Sequence, residues 1–213
     1  MDRNDGRLKR PIFGVGDMIE VQKQKTFHDD WFSKSIPDWD RYLAHLKGKP
    51  NVQALEIGSW EGQSTCWLLE NILTDPSSRI TCIDTFTGNP ENIVQPHYKD
   101  VKWTFASNIR ATGAEEKVEL IEAPSQLALK LMKNDSCDFI YIDGSHDPKD
   151  VLTDIVLSWG LLKHGGIMIL DDYPLQIPKL GILPKRAIDA FYFVFKDDII
   201  DLHTEWQAIW RKI

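Results

Sequence analysis

Cysteine is scarce in this chain. Cys66, Cys82 and Cys137 are odd in number, widely spaced and never form a CxxC pair, which excludes a disulfide framework and a zinc knuckle and leaves reduced, buried thiols. No run approaches the ~18 consecutive apolar residues of a membrane span, and the polar start MDRNDGRLKR lacks the apolar core of a secretory signal. Cationic charge is also in deficit: 25 basic residues stand against 32 acidic ones, a net charge of −7, which argues against broad adhesion to nucleic acid or an anionic membrane. The expectation is a cytoplasmic protein with neither kind of partner; whether it forms a homo-oligomer is open.

What is present suits a folded domain. With 213 residues, 42% of them hydrophobic, the chain can bury roughly 70% of its unfolded surface without a disulfide or metal staple. Residues 1–37 are weakly periodic, with Trp31 and Phe32 as anchors, and read as an N-terminal extension to a domain over 38–213. Within that domain strand-like runs alternate with helical patterns. Helices are expected at Asp38–Lys47, Gln63–Leu73, Val101–Thr112, Ser125–Lys133 and Lys185–Lys196. Strands are expected at VQALEIG, RITCIDTF, KVELIEA, CDFIYIDG and GIMILDD. A further helix carries the stripe Val151, Leu152, Ile155, Val156, Trp159 and Leu162, and Gly165 and Gly166 are expected to stop it. Such alternation predicts a doubly wound, Rossmann-like α/β sheet, mostly parallel. IIDLHTE and WQAIWRK lie too close together for a helical crossover and predict an antiparallel C-terminal edge hairpin, with Trp206 and Trp210 as core cover.

Ligands of such sheets bind at the carboxyl ends of the strands. The first end reads LEIGSWEGQST, with Trp60 where a dinucleotide fingerprint needs glycine, so an indole would block a pyrophosphate and Glu56 would repel it. That suits a cofactor with a nucleoside and a cationic end but no phosphate. Asp84, 26 residues beyond Gly58, can accept both hydroxyls of a ribose, or simply cap a turn. Ser125 and Gln126 after the third strand can meet an adenine edge, although Ser125 serves equally as a helix N-cap. Asp143 ends the fourth strand and Asp171 and Asp172 end the fifth. Carboxylates crowded at neighbouring strand ends call for a protonated member or a hard cation, Mg2+, Mn2+ or Ca2+, unless they only cap turns. His146, at the mouth of the presumed pocket, is a structural residue, a metal ligand or a general base.

ExGxxxGxS, the Asp at the second strand end and the Ser-Gln after the third resemble the cofactor site of class I S-adenosylmethionine-dependent methyltransferases, most closely the metal-dependent O-methyltransferases of the catechol O-methyltransferase kind. DFIYIDGSHDPKDVLTDI and LLKHGGIMILDDY resemble the macrocin-type sugar O-methyltransferases. The resemblance implies S-adenosyl-L-methionine as cofactor. It puts Glu56, Gly58 and Trp60, with Ser59, Gly62 and Ser64 of the same segment, around the amino-acid end, Asp84 on the ribose, and Ser125 and Gln126 at the adenine. Asp143 is then shared between cofactor, metal and catalysis, Asp171 and Asp172 complete the metal site, and His146 is the base toward a small hydroxylated acceptor. A nicotinamide-dependent oxidoreductase and a non-catalytic nucleoside-binding module are the alternatives. The irregular stretches FTGNPENIVQPHYKD and YPLQIPKLGILPK are expected over the pocket mouth, where long loops set substrate choice.

Overall fold

A computed structural model describes residues 24–89 and 99–213, so part of the stretch after the second strand, residues 90–98, lies outside the described residues. The elements in chain order are α1 (Ile36–Tyr42), β1 (Gln53–Ile57), α2 (Gln63–Asn71), β2 (Arg79–Asp84), α3 (Val101–Thr112), β3 (Val118–Glu122) and α4 (Ser125–Ala128). Then follow β4 (Cys137–Ile142), α5 (Pro148–Trp159), β5 (Leu162–Leu170), α6 (Pro184–Phe195), β6 (Ile199–Thr204) and β7 (Ala208–Lys212). They build a seven-stranded sheet in the order β3-β2-β1-β4-β5-β7-β6. The first five strands pair in parallel, and β7 inserts antiparallel between β5 and the edge strand β6. This is the doubly wound sheet with a reversed C-terminal hairpin. The chain reverses its direction of winding between β1 and β4, the crevice where such sheets take ligands.

Both faces of the sheet are covered, so the central strands carry apolar residues on both sides. One core gathers around Trp39, fully buried, with Phe32, Trp67, Phe139 and Tyr141 packed edge-on or tilted about it. Its indole Nε1 donates to Gln207 Oε1 at 2.8 Å, which ties α1 to the turn before β7. The other core packs α5 and α6 on the opposite face through Ile155, Trp159, Ile188 and Phe191. Residues 24–35 lie against the domain: Lys25 pairs with Glu70 at 2.5 Å, Asn108 holds both the N–H and the carbonyl of Thr26, and Phe32 is buried in the Trp39 core.

Three local expectations are corrected. Gly165 and Gly166 do not stop a helix. The helix α5 already ends at Trp159, because Ser136 and Cys137 donate to Leu161 O and draw the chain straight into the sheet. The two glycines lie inside β5, where six residues from Leu162 to Ile167 face only three from Cys137 to Phe139, and Gly165 takes φ +78° in that irregularity. The helices expected at Asp38–Lys47 and Ser125–Lys133 are shorter, each finishing in a 3₁₀ turn. Trp206 is not core cover: β7 starts at Ala208, so Trp206 sits in the preceding turn and is 43% exposed, whereas Trp210 is buried.

Removing the Trp39 indole leaves a large void and strands Gln207. Trp39→Ala should lower stability by about 3–5 kcal/mol, read as the shift of the urea-unfolding midpoint. An unchanged midpoint would contradict the placement of Trp39 at the centre of this core.

Candidate active site

The segment after β1 turns on two residues with no room to spare. Gly58 adopts φ +83°, and a Cβ there would stand 2.0 Å from the Asp143 carbonyl oxygen, so the ends of β1 and β4 approach as closely as only glycine allows. Trp60 follows at φ +47°. At Gly62 a Cβ would meet the Phe105 ring at 2.9 Å, the contact that lets α3 pack against the start of α2. Glu56 lies beneath this segment, fully buried, and accepts from Ser59 Oγ at 2.8 Å, Ser64 Oγ at 2.5 Å, Thr65 Oγ1 and Cys82 Sγ. Burial pushes its carboxyl above the ordinary range while those hydrogen bonds pull it back.

The sequence reading put Glu56 at the cationic end of a cofactor. Instead it points into the protein, away from the cavity wall, because four side-chain donors of the loop and of α2 and β2 converge on it. Ser59, Gly62 and Ser64 likewise shape the loop and stay off the wall. Asp84 does reach the wall, but its oxygens are largely engaged. Oδ2 accepts the backbone N–H groups of Ser59 and Trp60, both at 2.8 Å, and Oδ1 accepts that of Phe86 at 2.6 Å. A carboxylate offers about four acceptor positions, so one remains, and Asp84 can take one ribose hydroxyl rather than two. Ser125 makes no N-cap bond and donates its hydroxyl to Asp154 at 2.7 Å; Gln126 stands beside it on the wall.

At the ends of β4 and β5 the carboxylates crowd as expected, but with a different division of roles. Asp143, Asp171 and Asp172 all face one cavity of about 460 Å³, together with Gly58, Trp60, Asp84, Ser125, Gln126 and His146, a size suited to a small-molecule site. His146 Nε2 lies 2.8 Å from Asp172 Oδ2 and 4.0 Å from Asp143 Oδ1. One ligand atom each from Asp143, His146 and Asp172 falls within a 4.8 Å group, and Asp172 holds φ +57° to place its carboxylate there. Asp171 departs from the expected ligand set. Its Oδ2 accepts from the Tyr141 hydroxyl and from Gln207 Nε2 at 2.9 Å, and its Oδ1 accepts the Asp172 N–H at 2.7 Å.

The electrostatics follow from the crowding. Burial, with Asp171 and Asp172 nearby, pushes Asp143 up to about 8. Burial also lifts Asp171 above its ordinary range, with the charge of Asp172 adding to it. The Tyr141 hydroxyl, 2.9 Å from Asp143 Oδ2 and also against Asp171, is held protonated by burial and by both carboxylates. For His146 burial favours the neutral ring, but Asp143 and Asp172 outweigh it and push it up to about 11. This runs against the general-base reading of His146, which needs a neutral imidazole. His146 carries the positive charge that the carboxylates require.

Leu175 and Ile177, from the stretch YPLQIPKLGILPK expected over the mouth, line the cavity, and sequence reasoning missed Trp31, Lys34 and Trp206 beside them. Trp31 packs tilted against Trp60, ring centroids 6.0 Å apart, so a residue assigned to an extension closes over the loop. The available signal was a tryptophan in an otherwise polar stretch.

A profile described as a methyltransferase domain matches residues 55–173, more than half of the chain. The chain belongs to the methyltransferase-domain family. Uncharacterized protein R132 of Acanthamoeba polyphaga mimivirus is 25% identical over 166 residues, 73% of this chain and 68% of that protein. Among solved structures, a candidate rRNA methylase from Clostridium thermocellum superposes with a TM-score of 0.65 at 16% identity, covering 84% of this chain and 97% of the other. The O-methyltransferase from Bacillus cereus in complex with S-adenosylhomocysteine gives 0.59 at 18%, covering 88% and 84%. MycE, a methyltransferase of the mycinamycin biosynthetic pathway in complex with Mg, S-adenosylhomocysteine and mycinamycin VI, gives 0.56 at 14%, covering 86% and 50%. At these identities the likeness to the solved structures is one of fold. The protein is thus a methyltransferase, and its sheet has the class I fold of the family its strand-end motifs resemble.

One buried carboxylate of the methyltransferase gives a pH signature. Burial, opposed by the Ser125 hydrogen bond, pushes Asp154 from 3.8 up to about 6. Between those values this group binds more protons in the folded chain than in the unfolded one, so its contribution to stability is greatest below about pH 4 and falls as pH rises through about 6. The loss is on the order of 2–3 kcal/mol for a shift of this size. Asp154→Asn keeps an acceptor for Ser125 and should remove that share of the slope, measured by urea unfolding from pH 4.5 to 7. A difference between the two proteins that is constant across that range would contradict the assignment.

Proposed function

We propose that this methyltransferase transfers a methyl group from S-adenosyl-L-methionine to a hydroxyl of a small acceptor, with a divalent cation such as Mg2+ held by Asp143, His146 and Asp172. The observation that carries this reading is a single cavity with two unlike halves. One half is walled by Gly58, Trp60, Asp84, Ser125 and Gln126, the other by the carboxylate–imidazole group. The first fits a phosphate-free nucleoside cofactor: Trp60 and two nearby carboxylates leave no place for a pyrophosphate, Asp84 keeps one acceptor position, and Gln126 offers an amide. The second fits a hard cation, since oxygen donors dominate it and its charge is otherwise relieved by protons held on His146 and Asp143.

When bound, the cofactor supplies an electrophilic methyl carbon and the cation makes the acceptor hydroxyl more acidic and fixes its oxygen. The chain's own residues do the aligning on which a direct displacement depends. Asp84 pins the cofactor loop through the N–H groups of Ser59 and Trp60 and receives a ribose hydroxyl at Oδ1. Asp143 and Asp172 hold their oxygens toward the acceptor side, and Tyr141 and Gln207 fix Asp171 next to them. His146 belongs with the cation rather than acting as the base: the cation would take the place of the proton that Asp143 and Asp172 hold there, and the Nε2 lone pair, spent on the metal, would not be open to a proton from the acceptor. Five aspartates on the wall, Asp84, Asp143, Asp150, Asp171 and Asp172, favour a small acceptor over a phosphate-rich one.

S-adenosylhomocysteine should bind with micromolar-range affinity by calorimetry, and NAD should not bind. Asp84→Ala should weaken the interaction about ten- to a hundredfold, the loss of one charge-assisted hydrogen bond. Unchanged affinity in that variant would remove Asp84 from the cofactor site. For the cation, a paramagnetic-resonance titration with Mn2+ should show Asp172→Asn and His146→Ala each binding at least about tenfold more weakly while S-adenosylhomocysteine affinity persists. Wild-type Mn2+ affinity in both variants would exclude this ligand set.

A further inference from the structure

We infer that Lys34 is the recognition group for a carboxylate on the acceptor, placed so that an acidic, hydroxylated molecule is held between the aromatic wall and the cation site. The inference rests on the methyl-transfer reading of the cavity and names the acceptor class that reading leaves open. Lys34 lies on the cavity wall, and its ammonium stands 3.8 Å above the ring of Trp206. Its backbone is fixed: Ser35 N donates to Phe32 O, Ser33 N donates to Asp30 Oδ1, and Phe32 and Ser35 are buried. Trp206 is fixed too, because its carbonyl accepts the N–H of Tyr173 at 3.0 Å, one residue beyond Asp172, and its neighbour Gln207 donates to Asp171. The ammonium therefore rests on a ring carried by the same turn that borders the carboxylate group.

Charge decides what it binds. Among the described wall residues the basic side chains are Lys34 and His146, and His146 is committed to Asp143 and Asp172. Lys34 makes no ion pair with the described residues and rests only on an indole face, which holds a cation without neutralising it. A single ammonium in a wall with five aspartates matches a singly charged carboxylate; a phosphate dianion would meet more repulsion than one lysine offsets. Trp31 and Trp206, which line the same cavity as Lys34, suit a flat, partly apolar body attached to that carboxylate.

Benzoate and benzamide are the test probes, equal in shape and differing in charge, titrated by ligand-observed NMR into the full chain in the presence of a chelator, so that no metal can hold the carboxylate. Benzoate should bind at least about tenfold tighter than benzamide, the worth of one charge-assisted contact. K34Q should abolish that preference, K34R should keep it, and W206L should weaken both probes alike. Equal affinities, no saturable benzoate binding, or a preference that survives K34Q would overturn the inference. Running the titration with and without S-adenosylhomocysteine separates the two readings. A benzoate preference in a protein that does not bind S-adenosylhomocysteine upholds the Lys34 site and fails the methyl-transfer reading; S-adenosylhomocysteine binding without the preference does the reverse.

Discussion

The organising constraint is the packing of three aspartates and a buried tyrosine at the ends of two adjacent strands. Like charges this close in a low-dielectric environment cannot all remain ionised and unpaired. The protein meets the requirement with Tyr141 between Asp143 and Asp171, Gln207 on Asp171, and a protonated His146 against Asp172. Each of these contacts draws in another part of the fold. Gln207 reaches on to Trp39 in the main core, the Asp143 carbonyl lies against Gly58 just past the end of β1, and Asp172 leads into the loop whose Tyr173 holds Trp206. The site is thereby built into the sheet rather than draped over it.

The cofactor half follows the same logic with the opposite outcome. Glu56 and Asp84 are both acidic residues at or near strand ends, yet each is spent on holding the chain: Glu56 gathers hydroxyls from the loop and α2, and Asp84 takes three backbone N–H groups. A loop held this tightly around positive-φ residues is preorganised, so little ordering remains to oppose ligand binding. The N-terminal segment adds to it, with the His28 N–H donating to the buried Glu61 and Trp31 packing tilted against Trp60.

Much of the fold was legible because buried parallel strands read as uninterrupted apolar runs and the helices between them keep a 3.6-residue period. The short spacing before WQAIWRK was enough to reveal the reversed hairpin. Gly165 and Gly166 misled because a glycine pair marks a left-handed residue without saying whether a helix or a strand contains it. Trp206 misled because alternation with Ala208 and Trp210 continues on paper past the point where the strand begins. At the site, which strand ends carry carboxylates was legible, but their direction was not. Whether Glu56 points inward or Asp171 turns to Gln207 depends on donors 3 to 36 residues away, and no local pattern records those. Lys34 was hidden for the same reason, its role set by a turn at the far end of the chain.

The central claim is that one cavity holds a nucleoside cofactor and a divalent cation side by side. A crystal soaked with S-adenosylhomocysteine and Mn2+, measured at the manganese absorption edge, tests it most directly. The account predicts one anomalous peak bounded by Asp143, His146 and Asp172, with the nucleoside against Asp84 and Gln126. Manganese absent from that group, or a nucleoside lying elsewhere than between Gly58 and Gln126, would contradict it.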